Sequence, residues 1–195
     1  MICPEFRALW QGVDAADSIM VNPHEWLGAP FDCSGQFVRK PAELVKTLTI
    51  QPKYLKTHGQ SGIVNTSEWS VPLGRWFRAL KLWFLLRFHG LVALRAMIRI
   101  HVVWARQLAE RVAHRGFEVA TPPIPSLFSF CLKGGDDAAI LALVQAINDD
   151  GRIYLTQTRV AGQLAIRFVA GAFAMTKADA DIACRMIVEL AEAAH

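Results

Sequence analysis

The side chains best equipped for chemistry are gathered in one short stretch, His24-Glu25-Trp26, with Asp32 and Cys33 a few residues on. An imidazole beside a carboxylate could form a proton-transfer pair. However, adjacent residues on a strand point to opposite faces. The zinc-protease pattern H-E-x-x-H is not formed either, because position 28 is Gly28. On these residues alone the stretch reads as the polar end of a strand. Cys3, Cys33, Cys131 and Cys184 are widely separated and form no CxxC pair. Neither a zinc site nor a disulfide framework is expected, and the thiols read as reduced, in a cytoplasmic protein. His58 and His89 stand apart from other ligand types, so no metal is assigned. Arg87, Arg95, Arg99, Arg106, Arg111 and Arg115 make a basic region, but no nucleic-acid recognition motif accompanies them. They are expected to form a solvated helix face. Trp69, Trp76, Trp83 and Trp104, at helical spacing among Leu and Phe, are expected in a core rather than on a ligand-stacking surface.

The elements that must position these residues follow from pattern and punctuation. Residues 17–22 and 31–38 are apolar runs that read as buried strands of a parallel sheet, with a tight turn between Pro23 and Pro30. A helix is expected from Lys40-Pro41 to about Leu48, proline suiting a first helical turn. Residues 50–70 read as a long loop, of a length that is usually functional or disordered. Two helices follow within 73–115. Their apolar positions are Leu80, Trp83, Phe84 and Phe88, then Leu94, Ile98, Val102, Ala105 and Leu108, with Gly90 at the break and Gly116 at the end. Beyond them come strands at 117–120 and 126–132, an aspartate-capped helix at 136–148, strands at 152–160 and 164–169, and a helix at 176–194 with Thr176 as N-cap. This β-β-α-β-β-α order is that of an α+β layer. The division expected is 1–92 and 93–195.

Composition adds a constraint. The chain has 195 residues, a net charge of +4 and a hydrophobic share of 53% before its glycines are counted. An average soluble domain reaches about 45–50% with glycine included. So much apolar surface calls for a large interface or for structure beyond this chain. The two strands and two helices of the first half make a poor core by themselves, since a parallel sheet needs covering layers. The first ten residues include Glu5 and Arg7 and lack the apolar run of a signal peptide. Residues 80–94 are interrupted by Lys81 and Arg87 and are short for a bilayer. No secretion, membrane insertion or nucleic-acid partner is expected.

Several blocks, in order, carry a resemblance: CPEFR at 3–7, GVDAADS at 12–18, NPHEWL at 22–27, FDCS at 31–34, PKYL at 52–55 and PLGRWFRALKLWF at 72–84. Together they resemble the group II pyridoxal-phosphate-dependent decarboxylases, of the aromatic-amino-acid and tyrosine decarboxylase type. The resemblance implies an α/β fold: the C-terminal part of a type I pyridoxal-phosphate-dependent transferase large domain, followed by a small α+β C-terminal domain. It implies a carbon–carbon lyase acting on aromatic L-amino acids, with pyridoxal 5′-phosphate as cofactor, working as a homodimer or paired with a related chain. Glu25 stands where the family has the lysine that forms the internal aldimine, and only an amine condenses with the aldehyde. Normal turnover is therefore expected to be lost or very low. Asn22 and His24 are implied near the cofactor phosphate, and Tyr54 as the mobile-loop residue that protonates the substrate carbon. Phe31, Leu73 and Gly74 are implied to reach the neighbouring subunit's site, glycine permitting close backbone approach. Trp76 replaces the second arginine of the family's GRRF. The ring-stacking histidine, the aspartate that pairs with the pyridine nitrogen and the main phosphate loop precede the CPEFR block in the family, so this chain by itself is expected to be incompetent. An alternative is a non-catalytic module that pairs with a related decarboxylase chain.

Overall fold

A computed structural model describes residues 2–49, 66–72 and 74–193. The chain divides into two compact units, one of Arg7–Gly90 and one of Met1–Phe6 with Leu91–His195.

In the Arg7–Gly90 unit, β1 (Ser18–Val21) pairs antiparallel with β2 (Gly35–Val38), in the register Ser18 with Val38 and Val21 with Gly35. The expectation of two buried strands in a parallel sheet is corrected on both counts. The pair is an isolated antiparallel ribbon, and none of its residues is buried. β2 is also shorter than 31–38, because the Phe31–Cys33 backbone bonds to side chains instead of a strand. α1 (Pro41–Leu48) begins with proline in its first turn, as its sequence suggests. The region expected to be a long loop falls mostly outside the described residues, ending in a 3-10 turn at Thr66–Trp69.

α2 (Ala79–Ala113) is two helices broken at Gly90, where φ is 75° and ψ is 157°, a conformation open to glycine and strained for side-chain-bearing residues. After the break, Leu94, Ile98, Val102, Ala105, Leu108 and Val112 are buried along one face, at the i, i+3, i+4 spacing of a core helix. Before the break the same spacing gives the opposite result. Leu80, Trp83, Phe84 and Phe88 are exposed, while Arg78, Lys81 and Leu82 are half-buried and Leu85 is buried. The expectation that Trp76 and Trp83 lie in a core is therefore corrected, whereas Arg87, Arg99, Arg106, Arg111 and Arg115 are exposed, as expected of a solvated helix face, and Arg95 is half-buried. By length and composition alone, Arg78–Ala113 could cross a membrane: an 18-residue window within it has mean hydropathy 1.3, with 28% of that window buried.

The second unit is built on a four-stranded antiparallel sheet in the order β3-β4-β6-β5, from β3 (Phe117–Thr121), β4 (Leu127–Leu132), β5 (Thr156–Val160) and β6 (Gln163–Val169). α3 (Asp137–Asp150) packs against the sheet and against α4 (Lys177–Ala193). Both helix starts are capped as their sequences suggest. Asp136 accepts a 2.8 Å hydrogen bond from the Ala139 N–H. Thr176 and Asp179 cap each other reciprocally, the Thr176 N–H donating to the Asp179 carboxylate at 2.8 Å and the Asp179 N–H to Thr176 Oγ1 at 3.3 Å. β5 starts four residues later than expected because Asn148 removes Leu155 from the ladder, accepting its N–H at 2.8 Å and donating to its carbonyl at 3.0 Å. Phe128 and Phe130 are fully buried on one face of β4, their rings 5.6 Å apart, with Phe168 5.5 Å from Phe128 and Phe117 5.3 Å from Phe130. At the edge of this unit Glu5 and Arg99 form an ion pair. The guanidinium hydrogen bond holds the Glu5 carboxyl at about 2, against an ordinary 4.5.

Two predictions follow from this packing. Phe128→Ala removes a buried ring from a core that cannot collapse around it, and should destabilise the second unit by about 3–5 kcal/mol in urea unfolding; a loss below about 1 kcal/mol would contradict the aromatic core. Glu5 has a depressed folded-state pKa, so its contribution is complete above the unfolded value near 4.5 and disappears as pH falls toward 2. Glu5→Gln should therefore lower the unfolding midpoint at neutral pH, and the gap from the parent chain should close across that acid window. A gap that persists near pH 2 would show that the ion pair is not its source.

Candidate functional site

β1 runs out at Val21 and the chain enters a turn closed by two backbone hydrogen bonds, Glu25 N–H to the Asn22 carbonyl at 3.0 Å and Ala29 N–H to the Pro23 carbonyl at 3.1 Å. His24 and Glu25 therefore lie in a turn, where strand alternation does not separate them. Glu25 Oε1 comes 3.7 Å from His24 Nε2, beyond ordinary hydrogen-bond distance but within reach of an ion pair. The His24 ring is fixed from its other side. Cys33 N–H donates to Nδ1 at 3.0 Å, the Cys33 carbonyl lies 2.8 Å from the same atom, and the Phe31 ring stands edge-on at 5.0 Å. In the tautomer that accepts from Cys33 N–H, the remaining proton sits on Nε2, facing Glu25.

The returning strand of this turn is held from the helix side. Lys81 Nζ donates to the carbonyls of Phe31 at 3.1 Å and Asp32 at 3.2 Å, and reaches that of Pro30 at 3.5 Å. Arg78 pairs with the Asp32 carboxylate at 2.8 Å, and this hydrogen bond keeps the Asp32 carboxyl below its ordinary range. The Cys33 thiol points to the Arg78 carbonyl at 3.6 Å. The sequence reading missed Arg78 and Lys81 as positioning residues. The available signal was two cations three residues apart on one helical turn, inside the PLGRWFRALKLWF block.

Asn22, His24, Glu25 and Phe31 are thus brought into one turn. Glu25 is the open member, its side chain 70% exposed. Asn22 Oδ1 is buried and has no hydrogen-bond partner among the described residues, an uncompensated acceptor that native structures rarely leave. Gly74 has open space around it: a Cβ there would meet nothing within 4 Å, and its backbone is not left-handed. Within this chain, neither crowding nor strain accounts for a glycine at that position. Tyr54 and Leu73 lie outside the described residues. Among those described, no group of three or more His, Cys, Asp or Glu side chains could hold a metal ion, and the four cysteines are unpaired.

The chain matches the model of the pyridoxal-dependent decarboxylase conserved domain over residues 1–133. It is 39% identical over 193 residues to the aromatic-L-amino-acid decarboxylase of Mus musculus, covering 97% of this chain and 40% of that protein. It is 36% identical over 201 residues to tryptophan decarboxylase TDC1 of Camptotheca acuminata, covering 98% and 40%. Among solved structures, Oryza sativa TDC with PLP and tryptamine superposes with a TM-score of 0.89 at 31% identity, covering 98% of this chain and 42% of that one. Catharanthus roseus tryptophan decarboxylase in complex with L-tryptophan superposes with a TM-score of 0.86 at 33% identity, covering 99% and 42%. The chain spans about two fifths of the length of these relatives. By its domain match and by these likenesses in sequence and fold, it belongs to the pyridoxal-dependent decarboxylase family.

Proposed function

We propose that this chain descends from a pyridoxal-phosphate-dependent decarboxylase of aromatic L-amino acids and that it does not itself carry out the family's covalent chemistry. The observation that carries this reading is Glu25. The turn resembling NPHKWL presents an open carboxylate where the family presents an amine, and a carboxylate cannot condense with the cofactor's aldehyde. The rest of the turn offers no replacement. Lys81 Nζ is already shared among backbone carbonyls and lies 3.9 Å from the Asp32 carboxylate. These residues do not fit pyridoxal phosphate as a covalently held group. A positioned acid–base lysine alone is worth about 10²–10⁴-fold in rate.

A second reading is favoured by the uncovered apolar side chains of the Arg7–Gly90 unit. On this reading the chain is a non-catalytic module that pairs with another decarboxylase-family chain, either a second copy or a related one.

The first reading is tested by adding pyridoxal phosphate to the purified chain and to Glu25→Lys, recording the visible spectrum, reducing with borohydride and mapping the adduct. The parent chain should give no adduct in the 22–33 turn, and Glu25→Lys should give one at position 25. An adduct in that turn of the parent chain, or decarboxylation of tryptophan, tyrosine or dihydroxyphenylalanine above a protein-free control, would defeat the proposal. No adduct in either protein would mean that the chain alone does not hold the cofactor, and would favour the pairing module.

A further inference from the structure

We infer that the cleft between the end of α2 and α4 is a binding site for a small phosphate-bearing anion, free phosphate or a phosphate monoester, held by Arg111, Arg115 and Arg185. The cleft has a volume of about 360 Å³, within the roughly 300–1,000 Å³ usual for small-molecule sites. Every residue that lines it belongs to the second unit, so neither Glu25 nor the 22–33 turn enters the argument. The buried Cys184 and the half-buried Val188 line its apolar part. Three guanidinium groups and the His114 imidazole line the rest together with two carboxylates.

Two separate segments deliver these cations. α2 ends at Ala113, and the turn after it is fixed by hydrogen bonds from the His114 N–H to the Glu110 carbonyl at 3.3 Å and from the Arg115 N–H to the Val112 carbonyl at 2.9 Å. Arg111, one turn earlier, is tied to α4, its Nη1 donating to the Asp181 carboxylate at 2.6 Å. Lys177 Nζ takes the other oxygen of that carboxylate, also at 2.6 Å. Two cations thus share one negative charge, and Arg111 is positioned without being fully neutralised. Basic residues at a helix C-terminus also offset the helix dipole, which accounts for Arg111 by itself. It does not account for Arg185, which lies midway along α4 and lines the same cleft.

Charge defines what the cleft would take. Arg115 and Arg185 make no ion pair among the described residues; the arginines that do are Arg39, Arg78, Arg99, Arg111, Arg152 and Arg159. Two unmatched guanidinium groups from different segments suit an oxyanion that accepts from several directions and carries more than one charge, which is the chemistry of a phosphate. The Cys184 thiol feels these cations: burial pushes it up, while Arg111 and Arg115 pull against that. Glu189 and Glu192 also line the cleft, one and about two helical turns beyond Arg185. Neither pairs with Arg115 or Arg185, and Glu189 lies in the field of Arg152. Their carboxylates repel an extended polyanion. The ligand is therefore a single phosphate whose remainder, where it has one, is neutral or cationic.

The test titrates the full 195-residue chain with inorganic phosphate, glycerol phosphate and phosphoethanolamine at low salt, by calorimetry and phosphorus NMR. Saturable binding that weakens as sodium chloride is raised is expected. Arg115→Gln and Arg185→Gln should each weaken it by about threefold to tenfold. Arg185→Lys, which keeps the charge, should lose less than Arg185→Gln. Arg167→Gln, at an exposed position on β6, should lose nothing. Thermal unfolding of each variant shows that it folds, and the salt titration of the parent chain reads the same electrostatics without any substitution. Glu192→Gln should tighten inorganic phosphate and reduce the preference for phosphoethanolamine over glycerol phosphate. Binding of inorganic phosphate alone supports the site with free phosphate as its occupant, and tighter binding of an ester supports it with a monoester. No saturable binding of any of the three up to about 10 mM, or binding that survives the Arg115→Gln, Arg185→Gln double variant, would overturn the inference.

Discussion

The turn from Asn22 to Cys33 depends on polar cross-links, since of its residues only Pro23, Ala29 and Cys33 are buried. Lys81 gathers the carbonyls of Phe31 and Asp32, Arg78 takes the Asp32 carboxylate, and Cys33 pins the His24 ring through its main chain. Hydrogen bonds with a charged partner are worth about 1.5–3 kcal/mol where solvent is excluded and less where it is not. These contacts can set the shape of a turn but cannot stabilise a domain. The geometry that brings His24, Glu25 and Phe31 together is therefore local, and rigid only as far as the first turns of α2 hold it.

The two halves of α2 show how little an apolar period says about what it will be buried against. Both are written with large apolar residues at helical spacing. After Gly90 the stripe is buried nearly completely, and its later members, Ala105, Leu108 and Val112, join the same core cluster as Phe128, Phe130 and the buried side of α3. Before Gly90, the side that meets the chain's own backbone carries Arg78 and Lys81, which find carbonyls and a carboxylate there, together with the half-buried Leu82 and the buried Leu85. The apolar stripe is left facing outward.

Glu25 changes the character of the site more than its geometry. A carboxylate in an open turn needs no burial and pays no desolvation, so the fold tolerates it without rearrangement. On the proposed reading the turn offers no nucleophile for the cofactor, because a carboxylate presents no amine to an aldehyde. Nothing about the local backbone opposes a lysine at that position.

Elements with strong local codes were legible from the sequence: the proline-started α1, the capped α3 and α4, and the Gly90 break, each set by residues within a few positions of one another. The turn carrying Asn22, His24 and Glu25 was legible as well, through its resemblance to a family motif. Three features were decided by tertiary structure alone. The β1–β2 pair is antiparallel and exposed, because strand direction depends on which partner the chain meets. β5 starts late, because Asn148 competes for the Leu155 backbone. Arg78 and Lys81 point inward and Trp83 and Phe88 outward, because burial depends on what lies opposite a helix face, and that information is not contained in the face itself.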